Sequence, residues 1–418
     1  MARTGTILIA RTASASAIVL GVLFGAPARP EDLAPATAAF HRSDYELGLS
    51  DLELLGKRLF EDANLSEPAG VACASCHDRR RAYQGDNRSP IAGIARGSRP
   101  GQFASRKTPT ITYARYSPPF GFVRRGDRLE ARGGLFWDGR VDDLVAQPSA
   151  PLLNPAEMNN PDPETVVAKV AAAGYAPMMT AVFGPDAFAE PNAAFRRVAQ
   201  ALAAYERSPH LAPFTSRFDD HLRGAAALTP EETRGLALFL DPERGDCVAC
   251  HAVKPQSKDP PDWLFTDFGY AALGVPRNPA IPANADPGHF DLGLCQRPGI
   301  EAILPKAIAR ASLCGAFKTP TLRNVAVRAP YFHNGAIASL RDAVAFHATR
   351  DGDPGRWYPT SPTGAIDRFD DLPSADRSNV DRADVPFERR PGAPPRLDDG
   401  DIDALVAFLE TLTDKGMR

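Results

Sequence analysis

Two copies of one short pattern stand far apart in the chain, CASCH at residues 73–77 and CVACH at 247–251. Cys-x-x-Cys followed at once by His is the signature of covalent c-type haem attachment. The two thiols form thioethers to the haem edge, and the adjacent imidazole is delivered to one axial position of the iron. A zinc site calls for further Cys or His ligands at short spacing, which neither motif has nearby. A dithiol redox site does not require the trailing His. The pattern therefore predicts two haem c groups, held by Cys73 and Cys76 and by Cys247 and Cys250, with His77 and His251 as proximal ligands. Two cysteines remain, Cys295 and Cys314, flanking an irregular segment. In an oxidising compartment they are expected to form a disulfide.

The elements that position these motifs repeat as well. SDLELLGKRLFEDANLS precedes the first motif, with Ser50 as N-cap and Leu52, Leu55, Leu59 and Phe60 at helical spacing. TPEETRGLALFLDPERGD precedes the second, where Thr229 and Glu232 match a capping box. A C-terminal amphipathic helix, with Ile402, Leu405, Phe408 and Leu409 on one face, is suited to pack over a haem pocket. Residues 255–314 and 358–400 are rich in Pro and Gly and read as long loops. The expected fold is mainly α, two cytochrome c-type haem domains with long irregular loops, spanning 29–215 and 216–418.

Residues 1–28 combine Arg3 and Arg11 with the apolar run ASASAIVLGVLFGA and a small-x-small ending at Ala28. This reads as a secretory signal peptide, and the run is shorter than the roughly 20 apolar residues that span a bilayer. The mature chain is thus expected to be exported to the periplasm, with no membrane span. The 418 residues carry a net charge of −3, which supplies no basic field for nucleic acid. The arginine runs at 79–81, 124–125 and 389–390 read as solvated surface.

The order CASCH, RKTPTIT, LFWDGRVDDLVAQPSAPLLNPAEM, CVACH, FKTPTLRNVAVRAPYFHNGAIASLRDAV resembles the bacterial di-haem cytochrome c peroxidases and their MauG-like relatives, from about residue 50 to the end. The resemblance implies a peroxidatic first haem and a second haem that stores or passes oxidising equivalents. It implies that Glu157, in PLLNPAEM, moves a proton between the peroxide oxygens, and that Gln147 hydrogen-bonds the bound peroxide or water. It also places Trp137, in FWDGR, between the haems as a relay. No histidine lies between His77 and His210, so the first iron is expected to keep an open position, unlike family members with a distal imidazole there. Met158 adjoins Glu157 and reads as packing.

The far ligand of the second haem falls seventeen residues after Pro330 in the family, as Met or Tyr, and here that position is His347. Tyr358 is the alternative ligand. A bis-His iron has a lower potential than a His/Met one, which tilts the reading toward the MauG-like side. The resemblance also implies a calcium ion between the domains, although the Asn that the family uses there is Tyr113 here, which offers a hard cation no amide oxygen. Three functions follow. The first is a MauG-like peroxidase that oxidises a partner protein or redox donor. The second is a peroxide scavenger fed by a small cytochrome or cupredoxin. The third is a di-haem electron carrier without catalysis, in which Met158, Met178 or Met179 completes the first iron.

Overall fold

In the computed structural model, residues 48–417 are described; the expected signal peptide and His41 lie outside them. Among the described residues seven helices reach eight residues or more: α1 (Asp51–Glu61), α2 (Pro163–Ala172), α3 (Ala176–Phe183), α4 (Pro191–Arg207), α5 (Pro230–Leu240), α6 (Leu340–Thr349) and α7 (Asp399–Glu410). Ser50 caps α1 with Glu53 bonding back, and Thr229 and Glu232 close the same box on α5. Both caps stand where the sequence pattern put them.

Each haem motif follows a helix that crosses another at close range. In the first half α1 crosses α4, and a Cβ added at Gly56 would stand 1.9 Å from the Ala201 carbonyl oxygen. In the second half α5 crosses α7, and a Cβ at Gly235 would stand 2.0 Å from the Ala404 oxygen. The aromatic residues beneath the two glycines, Tyr205 and Phe408, also correspond. Around the first crossing packs a core that includes Leu55, Leu59, Phe60, Val198 and Leu202. Around the second packs another, with Phe239, Phe265, Phe346, Leu405 and Phe408.

These crossings make a prediction. Alanine is favoured over glycine inside a helix by about 1 kcal/mol. At Gly56 the added methyl meets backbone that cannot rotate away, and overpacking costs about 1–3 kcal/mol or more. Gly56→Ala is expected to lower the thermal midpoint, whereas Gly174→Ala, where nothing lies within 4 Å, is expected to leave it unchanged. Differential scanning calorimetry of the two variants decides this; equal midpoints would mean that the crossing relaxes freely.

Strands are few and short. β1 (Ile94–Arg96) pairs with β2 (Phe103–Lys107), and β3 (Gly121–Arg125) with β4 (Arg128–Arg132). β5 (Tyr270–Ala271) pairs with β6 (Phe317–Lys318). The sequence reading anticipated none of them. A bridge between Arg132 and Gly269 attaches the β3–β4 hairpin to the second half of the chain. The two KTPT motifs each begin where a strand ends, at Lys107 in β2 and Lys318 in β6.

The long loops are irregular, broken by short 3-10 turns. Cys295 and Cys314 form the expected disulfide, at an S–S distance of 2.12 Å, closing a loop with a sequence separation of 19. The stapled segment, through Arg297, and Asp291 just before it grip the first half. Arg106 forms ion pairs with Asp291 and Asp138, both at 2.6 Å, while Arg297 donates to the Gly139 carbonyl at 2.9 Å and pairs with Asp142 at 2.7 Å. Chain-entropy reasoning for a loop of this size gives about 3 kcal/mol. Replacing both cysteines with serine is therefore expected to lower the denaturant midpoint by that order; an unchanged midpoint would show that the ion pairs alone hold the segment. Among the described residues no single helix is long and apolar enough to cross a membrane.

Candidate active site

Both haem motifs open onto one cavity of about 800 Å³, lined by Cys73, Cys76 and His77 from one and by Cys247, Cys250 and His251 from the other. The two proximal candidates are oriented in the same way. His77 Nδ1 lies 2.9 Å from the Tyr83 carbonyl, and His251 Nδ1 lies 3.0 Å from the Phe265 carbonyl. A nitrogen facing a carbonyl at that range is the donor, so Nε2 keeps the lone pair that can bind iron. Burial lowers the His77 pKa, and takes that of His251 down to about 4, so both rings are in the neutral, ligating form at neutral pH. The Phe265 stretch is itself held. Buried Arg323 pairs with Asp219 at 2.7 Å and donates to the Trp263 carbonyl at 2.8 Å.

Cys73, Cys76, Cys247 and Cys250 are in no disulfide. Burial pushes the Cys76, Cys247 and Cys250 thiols up to about 12, and Cys73 higher still. Nucleophilic redox cysteines need the opposite shift, so a dithiol-exchange site does not fit. The donor set fits two covalently held haems: four thiols, two histidines with Nε2 available, and one continuous cavity.

Glu157 occupies the turn after a short helix, Ser149–Leu153, where Asn154 Nδ2 donates to its Oε1 at 2.7 Å. The residue is half-buried, and its open side faces the cavity. Burial pushes its carboxyl above the usual range, against the lowering by the Asn154 hydrogen bond and the Arg140 charge. Its charge acts on the Cys76 thiol, which puts it in the first-haem compartment. Gln147, at the start of the same segment, also lines the cavity. Met158 is 3% exposed, packs in the first core and also lines the cavity. Met178 and Met179 are fully buried in that core and do not line the cavity.

Trp137 is gripped from both ends by the twin motifs. Its indole N–H donates to the Lys107 carbonyl at 2.8 Å, and its own carbonyl accepts from the Lys318 N–H at 2.8 Å. The next residue, Asp138, is locked by Arg106. The indole thus stands where the two halves meet, fixed by backbone on either side.

His347 lies in α6 and lines the cavity. Its Nδ1 is 2.8 Å from the Ala343 carbonyl one turn earlier, again leaving Nε2 free. Burial takes its pKa down to about 4, with His251 among the charges acting on it. Rings of Phe332, Phe346 and Phe387 surround it at 5.5, 6.1 and 5.8 Å. The alternative, Tyr358, spends its hydroxyl on the Gly274 carbonyl at 2.6 Å and does not line the cavity. Tyr113, at the position matching the family's calcium ligand, donates its hydroxyl to Asp414 at 2.7 Å.

Several groups at this cavity were not singled out from the sequence. Lys107, Lys318, Arg328 and Glu206 are all buried or nearly so and all line it. Burial brings the Lys318 ammonium down to about 7 and the Glu206 carboxyl up to about 8. The repeated KTPT was a usable signal for the two lysines. Nothing in the run AAYERSP marks Glu206, which the packing of α4 alone buries.

The family model described as di-haem cytochrome c peroxidase matches residues 50–227. The methylamine utilization protein MauG of Paracoccus denitrificans is 38% identical over 369 residues, covering 87% of this chain and 89% of that protein. The cytochrome c551 peroxidase of Pseudomonas aeruginosa is 29% identical over 300 residues, 70% of each chain. The crystal structure of the diheme peroxidase BthA from Burkholderia thailandensis superposes with a TM-score of 0.80 at 45% identity, covering 87% of this chain and 86% of that one. The two attachment motifs, the shared cavity and these likenesses together make the chain a MauG-like member of the di-haem cytochrome c peroxidase family.

Proposed function

We propose that peroxide reacts in the His77 compartment and that its oxidising equivalents pass by way of Trp137 to the His251 haem, from which a partner protein or redox donor draws them. One asymmetry carries this reading. Among the described residues, the first half contributes a single histidine to the cavity, His77, together with Glu157, Gln147 and the core-packed Met158, while the second half contributes His251, His333 and His347. In this reading His77 would hold the first haem with Glu157 beside it as the acid–base group, and His251 and His347 would hold the second.

Bound haem supplies the redox chemistry that the chain's own groups lack. The residues position and protonate. In this reading Glu157 takes the proton from the near peroxide oxygen and returns it to the far one, a general acid–base step. Gln147 holds the peroxide or a water by its amide. Trp137, with its N–H on a carbonyl that accepts no proton, would pass an electron while keeping its indole proton. The chain divides at 215/216 into the two haem-bearing units and acts in the periplasm after loss of residues 1–28.

Freeze-quenched electron paramagnetic resonance of the diferric protein tests this. One high-spin and one low-spin signal are expected, both falling within one equivalent of peroxide. Two low-spin signals indifferent to peroxide, even after partial reduction, would make the chain an electron carrier instead.

A further inference from the structure

Three buried nitrogen-bearing side chains at the junction of the halves have nitrogens that no described residue satisfies. Lys107 is 6% exposed, and its Nζ makes no hydrogen bond or ion pair to a described residue; the Tyr331 ring lies 5.5 Å away. Arg328 is 5% exposed, spends one terminal nitrogen on the Thr321 carbonyl and leaves Nε without a partner. His333 is 5% exposed and stacks on Phe317 at 3.5 Å. Its Nε2 is orphaned, with the nearest carboxylate, Asp371, 3.9 Å away and beyond hydrogen-bond reach.

The Lys107 and Arg328 side chains are neighbours, and the His333 backbone joins Lys107. The Lys107 N–H donates to the His333 carbonyl at 2.7 Å. Burial above all, then the Arg328 and Arg81 charges, holds the Lys107 ammonium well below its usual range, and Arg328 acts in turn on His251. All three side chains line the haem cavity.

Burying two cations side by side with no anion is a cost that folded proteins avoid. Elsewhere at this junction the chain does supply carboxylates, Asp138 and Asp291 around Arg106. At Lys107 and Arg328 the described residues supply none. The missing partner is an anion with several acceptor atoms, and a carboxylate matches both the fork of an arginine and a point-like ammonium. Haem brings two carboxylates on flexible arms into this cavity.

We propose that Lys107, Arg328 and His333 form one carboxylate-binding subsite that seats propionate groups of the haem held by Cys247 and Cys250. The inference rests on the two-haem reading. Lys107 comes from the first half and the other two from the second, so seating the propionates ties the halves together beside Trp137, whose N–H is held by Lys107 itself. A free anion of the same chemistry, acetate for example, is the other source.

The test uses Lys107→Met and Arg328→Gln in the mature holoprotein, with pyridine haemochrome absorbance first counting the haems. Two haems per chain are expected throughout; fewer than two in the unmutated protein would sink the two-haem reading rather than this subsite. With both haems attached, the propionate-bending bands in the resonance Raman spectrum are expected to shift in each variant. The midpoint potential of the His251 haem is expected to fall, because a nearby cation has been removed. Lys107→Arg should keep the wild-type bands, which separates lost charge from lost packing. Unchanged bands and potential in both variants overturn the proposal. Bands in the unmutated protein that follow added acetate also overturn it, in favour of a free-anion site. If Lys107→Met fails to load haem, Arg328→Gln and His333→Phe carry the same readout.

Discussion

Glu157→Gln is expected to slow peroxide consumption about 100- to 10,000-fold, the usual worth of a positioned acid–base group, while both haems stay attached. Glutamine keeps the size of the side chain and an oxygen for the Asn154 N–H, so the turn that carries it should survive. What it cannot do is accept a proton. Stopped-flow measurement of ferric signal loss against peroxide concentration separates the possibilities: a lower rate at saturation with little change in half-saturation is expected from a group that acts on the proton. The pH profile adds a sign. To take the first proton Glu157 must be ionised, and burial holds its pKa above the usual carboxylate range. Activity in the unmutated protein should therefore fall as pH drops through that raised value, and the limb should vanish in the variant. A variant as fast as the parent would move the proton step elsewhere, to the buried Glu206 before any other carboxyl at the cavity.

The contrast between Glu157 and Glu206 shows what a sequence can disclose about this site. The attachment residues are legible because covalent chemistry fixes their spacing within five residues. Ser50, Thr229 and Glu232 are legible because capping is local, and the helices they start stand as read. Glu157, Gln147 and Trp137 are legible only through resemblance, since a glutamate in a loop has no pattern of its own. The crossings at Gly56 and Gly235 are set by helices more than a hundred residues away, and a lone glycine in a helical run reads simply as a weak point. The β3–β4 hairpin was missed for a related reason. GFVRRGDRLEAR is charged on both sides of its turn, and it is held by a bridge to Gly269 that no local rule predicts. The orphaned donors of Lys107, Arg328 and His333 likewise exist only once two distant segments meet.

His347→Ala is expected to convert the low-spin ferric signal of the second haem to high spin almost completely, leaving the first haem's signal alone. A histidine in the last turn of α6 has its Nδ1 engaged by the Ala343 carbonyl, which fixes both tautomer and ring plane. Its neutral form dominates at physiological pH because burial opposes the charged one. Three phenylalanine rings keep water from competing for the same position. No other described side chain is as well placed, for Tyr358 has given its hydroxyl to Gly274 and points its chemistry away from the cavity. His347→Met supplies the converse, since thioether ligation raises a haem potential and should make the second haem a better electron acceptor and a poorer store of oxidising equivalents. In that variant the oxidised state left after peroxide should decay faster. A low-spin signal that survives His347→Ala would remove histidine from the axial position, and with it the reason for setting this chain apart from the electron-fed peroxidases.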